Sequence, residues 1–154
     1  MIHEWKRGEF TISTERARLD LNLIHEFLTT SYWAAGIPLD VVKRSIEHSL
    51  AFGVYQGDRQ VGFARLITDY ATFAYLADVF IIEEYRGQGL AKWLIEVIIG
   101  HPDLQGLRRW MLATRDAHML YSQAGFVEIK SPESWMERHA TNVYAKPSPS
   151  RQEG

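Results

Sequence analysis

A chain of 154 residues, 46% apolar and 23% charged, is long enough for one domain with a proper core and too short for two, and it leaves no room for a largely disordered reading. Its net charge of −2 argues against a nucleic-acid partner, because neutralising phosphates calls for a marked basic excess. With no cysteine, disulfide frameworks, thiolate nucleophiles and cysteine-ligated zinc or iron–sulfur sites are excluded.

The opening residues, Met1 to Arg7, lack the apolar stretch of a signal peptide, and no later run reaches the roughly 18 to 20 apolar residues of a membrane span. The expected setting is therefore soluble and cytoplasmic, without a membrane partner. Phe10 to Ser13 carries the β-prone residues of a short strand. Ala17, Leu21, Ile24 and Leu28 then recur at helical spacing. A second helix is expected to start at Pro38, with Val42, Ile46 and Leu50 at intervals of four. The link between them, Thr29 to Ile37, holds Tyr32 and Trp33.

Ala51 to Gln56 and Gln60 to Asp69 are strand-like, with Gln56-Gly57-Asp58-Arg59 as a hairpin turn. Thr72 to Ile82 is a nearly continuous apolar and aromatic run that suits a central strand covered on both faces. Leu90, Leu94, Val97 and Ile98 give another helical stripe, closed by Gly100 with Pro102 just beyond. Leu107 to Thr114 reads as a strand, Asp116 to Gln123 as a short helix and Phe126 to Ile129 as a last strand. The order β-α-α-β-β-β-α-β-α-β predicts an α/β domain with a mixed sheet over residues 1–146. Residues 147–154 contain no apolar side chain and are expected to form a frayed tail.

Between the central strand and the third helix stands Arg86-Gly87-Gln88-Gly89-Leu90-Ala91, followed by Lys92. Two glycines let the backbone turn sharply and approach a ligand. The unpaired N–H groups of the helix's first turn suit a phosphate or pyrophosphate, and Arg86 and Lys92 add cationic charge. A dinucleotide fingerprint fits badly, because Lys92 stands where a third small residue belongs and the loop follows consecutive strands. No Gly-Lys-Ser/Thr follows a four-residue gap, so a Walker loop is excluded. Short glycine patterns also occur as plain strand-to-helix turns, so by itself the loop assigns only some phosphate.

The segment Leu76 to Lys92, in which Arg86, Gly89 and Ala91 fall at the spacing of an Arg/Gln-x-x-Gly-x-Gly/Ala signature, resembles the GNAT superfamily of acyl-CoA N-acyltransferases. A second family element, a short helix bearing a tyrosine and leading into Gly-Phe, is matched by Leu120-Tyr121-Ser122-Gln123-Ala124-Gly125-Phe126. The resemblance runs from about Phe10 to Ile129 and implies a mostly antiparallel sheet flanked by helices and splayed at its central strand. It implies acetyl-CoA as acyl donor, with its pantetheine arm along Val79, Phe80 and Ile81 and its pyrophosphate on the amides of Gly87, Gln88, Gly89, Leu90, Ala91 and Lys92. Where family members often carry an asparagine that touches the cofactor, this chain has Thr114.

The same resemblance makes Tyr121 the general acid that protonates the departing thiolate, and a strand amide near Val79 or Phe80 the oxyanion donor. Asp78 is the one acidic residue inside the apolar run from Phe73 to Ile82, where a carboxylate needs a partner or takes up a proton. It is a candidate base or ammonium anchor, and equally a structural ion pair with Arg65. Tyr32, Trp33, Asp69 and Tyr70 form an expected aromatic and acidic substrate rim suited to an amine. The predicted acceptor is a primary amine of a small molecule or peptide, and the rival is a non-catalytic acyl-CoA sensor. The six histidines are scattered without ligand spacing, so no metal is expected. Trp135 and Met136 are candidates to cap the core or a homodimer interface.

Overall fold

The computed structural model describes residues 1–144, so the expected tail at 147–154 lies outside the described residues. Six strands form one sheet in sequence order: β1 (Glu4–Arg7), β2 (Phe10–Ser13), β3 (Leu50–Gln56), β4 (Arg59–Thr68), β5 (Phe73–Ile81) and β6 (Arg109–Met111). Every neighbouring pair is antiparallel except β5 and β6. Helices α1 (Leu21–Thr29) and α2 (Leu39–Glu47) lie between β2 and β3, and a short α4 (His118–Ser122) follows β6. A parallel neighbour needs a crossover, and α3 (Leu90–Ile99) supplies it between β5 and β6.

Side-chain alternation divides the core into two layers. Phe52 and Val54 of β3 point to one face, where they meet Leu94, Ile95 and Ile98 of α3. Ala51 points to the other, with Ile24 and Leu28 of α1 and Val42 and Ile46 of α2. Asp20 fixes the start of α1, its Oδ1 accepting the Leu23 N–H.

One irregularity in β5 shapes the molecule. Phe63 pairs with Phe80 and Arg65 with Ala77, so Ala64 faces two residues, Asp78 and Val79. Such a bulge reverses side-chain parity. Leu76 lies in the α3 layer while Phe80, four residues on, lies in the α1–α2 layer, and Ile81 returns to the α3 side. The extra residue is accommodated at Asp78, whose φ of 56° is in the left-handed region that a short polar side chain tolerates better than a branched one.

Several expected elements differ. Glu4–Arg7 forms β1 against β2, although only Trp5 of its four residues is even half-buried. Ala17 sits in a separate turn before α1, Pro38 precedes α2 as its cap, and Leu50 belongs to β3 rather than to the helix. β6 is only three residues long. Phe126 to Ile129 is not a strand: the Phe126 N–H turns back to the Tyr121 carbonyl, and Val127 is exposed, so the segment's β-prone composition finds no neighbouring edge. Trp135 stacks on the Arg109 guanidinium, 4.6 Å from ring centre to carbon, and Met136 is exposed, so neither caps the core. No helix among the described residues is long and apolar enough to cross a membrane.

Candidate active site

β5 and β6 are paired only from Phe73–Tyr75 to Arg109–Met111. Beyond that the two chains part, and a cavity of about 930 Å³ opens between Leu76–Ile81 on one side and Leu112–Asp116 with Leu120 and Tyr121 on the other. A sheet interrupted next to its central strand exposes backbone amides that ordinary pairing would consume. This is the splay that the resemblance implies.

At one end stands the glycine loop. Gly87 and Gly89 have φ of 82° and 77°, and a Cβ added at Gly87 would meet no atom within 4 Å, so its backbone angle and not crowding calls for glycine. Gly89 is the residue before α3, and the first helical hydrogen bond runs from the Trp93 N–H to its carbonyl. The N–H groups of Leu90, Ala91 and Lys92 therefore have no partner within the helix. Arg86 is tied back, its Nε donating to the Ile81 carbonyl at 2.9 Å, which leaves its terminal nitrogens beside the loop. An anion with several oxygens fits this arrangement of amides, helix start and two cations.

The far wall carries Tyr121. It is 9% exposed, its ring meets Phe126 edge-on, and its backbone closes the turn at Gly125 and Phe126. Burial, then the neighbouring Tyr32 and Asp116, push its phenol up to about 12. It therefore holds its proton throughout the neutral range. Thr114 lines the cavity too, but its hydroxyl accepts the Ala117 N–H at 3.1 Å and helps set the start of α4.

Asp78 is paired. Arg65 Nε donates to Oδ2 at 2.9 Å, and Trp33 Nε1 donates to Oδ1 at 2.9 Å. Arg65 is itself held by Nη1 donating to Ser49 Oγ at 3.0 Å. The two side chains of the ion pair are 16% and 10% exposed, so the contact is largely withdrawn from water. Through Trp33 this pair anchors the link between α1 and α2 over the cavity, where Tyr32 meets Trp33 edge-on at 5.0 Å. Phe27 of α1 stacks on Phe80 at 3.9 Å and adds an apolar wall.

The structure thus brings together Tyr32, Trp33, Asp78, Val79, Phe80, Ile81, Arg86, Gly87, Gly89, Leu90, Ala91, Lys92, Thr114 and Tyr121 around one cavity. Gln88 is in the loop but not on its lining, its side chain donating to the Tyr85 carbonyl at 3.4 Å. Asp69 and Tyr70 do not reach the cavity. The Asp69 carboxylate accepts from Thr72 Oγ1 and from the amides of Ala71, Thr72 and Phe73, which hold it well below the usual carboxylate range. It fixes the β4–β5 turn instead of forming a substrate rim. Arg115 and Asp116 line the cavity and carried no motif; their only signal in the sequence is their place between a strand end and the tyrosine helix.

Away from the cavity, His3, His101 and Asp103 bring one potential ligand atom each within 4.8 Å of one another, a convergence that linear spacing hid. The Nδ1 lone pair of His101 accepts the Asp103 N–H at 3.0 Å and caps the turn at Pro102–Leu104.

A mixed sheet splayed beside its central strand, with a glycine-started helix at one end of the opening, is the arrangement that the resemblance to acyltransferases implies. The Acetyltransferase (GNAT) domain family matches residues 47–128. A Gibberella zeae protein named for acetyltransferase activity is 32% identical over 142 residues, covering 77% of this chain and 79% of its own length. A crystal structure of a GNAT-family protein from Xanthomonas campestris pv. campestris is 51% identical, with a TM-score of 0.87, covering 89% of this chain and 97% of that one. A GNAT-family acetyltransferase of Elizabethkingia anophelis with acetyl-CoA bound shares the fold at 12% identity and a TM-score of 0.62, covering 88% and 91%. The chain belongs to the GNAT acetyltransferase family.

Proposed function

We propose that this enzyme transfers an acetyl group from acetyl-CoA to a primary amine of a small molecule or peptide, by direct attack within a ternary complex. The observation that carries the reading is the opening between β5 and β6, which joins a glycine-started helix with unpartnered first-turn amides at one end to a buried tyrosine, its phenol pushed up to about 12, on the opposite wall. The amides of Leu90, Ala91 and Lys92 are placed to hold the pyrophosphate, and the exposed edge of Val79 to Ile81 to hold the pantetheine amides. Bound there, the thioester supplies the acetyl group and a thiolate leaving group.

The amine lone pair forms the new carbon–nitrogen bond while the carbon–sulfur bond breaks. A backbone N–H freed by the bulge at Asp78–Val79 is the oxyanion donor, because it needs no reorganisation to meet the developing charge. Tyr121 gives its proton to the departing sulfur and regains one from the acetylated nitrogen, so protons balance over the cycle. Asp78 acts as a positioning residue rather than as the base, since both its oxygens are held by Arg65 and Trp33.

The reading is tested by isothermal titration with acetyl-CoA followed by turnover against a panel of amines. Binding with product on at least one amine supports it; tight binding with transfer to none shifts the assignment to an acyl-CoA sensor.

A further inference from the structure

The charges lining the cavity fall into two groups. Arg86 and Lys92 belong to the glycine loop, whereas Arg115 and Asp116 stand at the end of β6, under the α1–α2 link. Asp78, the expected acidic anchor, is already neutralised by Arg65. Asp69 is committed to its turn and lies outside the cavity. The acceptor side therefore lacks the free carboxylates of the expected acidic rim, apart from Asp116.

Arg115 is held with unusual definition for an exposed arginine. Its guanidinium carbon lies 3.8 Å from the Tyr32 ring centre, and its backbone N–H donates to the Tyr32 hydroxyl at 3.2 Å. Tyr32 is braced by Trp33, Trp33 by Asp78, Asp78 by Arg65 and Arg65 by Ser49. A guanidinium held over a ring by its carbon spends none of its N–H donors on that contact, and two of them match the two oxygens of a carboxylate. Among the described residues no carboxylate lies within 4.0 Å of it. Arg115 is thus a held cation at the acceptor side that, among the described residues, makes no ion pair, with Asp116 as the neighbouring carboxylate.

We infer that the acceptor is an amino carboxylate, a small amine bearing a carboxylate that Arg115 binds, with its apolar body against Phe27, Trp33 and Tyr75. This rests on the transferase reading above. Arg115 is a specificity residue: it holds the substrate's anion and leaves the amine to reach the thioester.

The test measures kcat and KM with acetyl-CoA for a panel of free amino acids, each paired with its neutral carboxamide, on wild type, Arg115→Gln and Arg115→Lys, together with the Kd for coenzyme A. The expected result is at least one free acid preferred over its amide by about tenfold or more in kcat/KM, expressed mainly in KM. Arg115→Gln removes that preference, Arg115→Lys restores part of it, and the coenzyme A Kd stays within about twofold. Amides used as well as acids, or equal losses on both, overturn the inference. A weakened coenzyme A Kd in Arg115→Gln also overturns it and makes Arg115 a ligand of the cofactor's phosphates. Failure of wild type to bind coenzyme A would instead sink the transferase reading itself.

Discussion

The two ends of the cavity are built from different materials. The proposed donor end is a continuous stretch, Ile81 to Lys92, whose candidate binding groups are backbone amides flanked by Arg86 and Lys92, and whose special backbone requirement is glycine at left-handed φ. The proposed acceptor end is assembled from side chains that are far apart in the chain: Tyr32 and Trp33 from the helix link, Arg65 from β4, Asp78 from β5 and Arg115 after β6. A backbone site tolerates changes in most side chains but not in its glycines. A side-chain site fails wherever one contact of its chain is cut. The two ends should therefore break in different ways.

The largest effect is expected at Asp78→Asn. The substitution keeps a residue that accepts left-handed φ but leaves the Arg65 guanidinium, mostly withdrawn from water, without its counter-charge. The loss should be about 2–4 kcal/mol of folding stability, read by urea denaturation. In the folded fraction KM for the amine should rise, while the coenzyme A Kd is held, because Trp33 loses an anchor and the glycine loop loses nothing. If stability is unchanged and kcat collapses, the carboxylate is acting chemically and its positioning role is wrong.

Gly89→Val attacks the other end. A branched residue at φ of 77° costs about 1–2 kcal/mol and puts a side chain at the start of α3, so coenzyme A affinity should fall about thirtyfold. Amine KM at saturating donor should move little. Parallel losses on both substrates would show that the ends are not separable.

Between the two lies Tyr121. Tyr121→Phe should lower kcat about tenfold or more with the coenzyme A Kd retained. Since burial lifts the phenol to about 12, kcat in the wild type should show no descending alkaline limb up to about pH 10. An unchanged kcat in the variant would remove the phenol from the reaction.

The same contrast explains what could be read in advance. The donor loop was legible because a backbone site leaves a local trace, two glycines and flanking cations between a strand and a helix. The tyrosine helix was legible through its family pattern. The acceptor end was only half legible: Tyr32 and Trp33 drew attention as loop aromatics, while Arg115 is one arginine among many until Tyr32 is folded onto it. Asp69 looked like a rim carboxylate because its four turn contacts are invisible in a linear chain. The bulge was hidden for a different reason. Phe73 to Ile82 is apolar on both sides of Asp78, so the run shows no alternation whose parity could change, and Asp78 reads as a lone carboxylate rather than as a bulge. β1 escaped because an edge strand with one half-buried residue has little alternation to show.

The smallest expected effect lies outside both ends and separates scaffold from site. His101 is 2% exposed, and burial, then the adjacent His3, lower its pKa below 6.5, with Asp103 acting in the opposite direction. The folded ring stays neutral where the ring of an unfolded chain takes up a proton. Its stabilisation is therefore complete above pH 6.5 and is lost as pH falls through the lowered folded value. Protonation would also remove the lone pair that accepts the Asp103 amide. His101→Asn keeps a capping oxygen and removes the titration, so its stability should decline less than that of wild type between about pH 7 and pH 5. Equal slopes in the two proteins would place the acid sensitivity elsewhere. If the slopes differ as expected, the buried His101 ring carries part of the fold's acid sensitivity, and that part belongs to the scaffold and not to either end of the cavity.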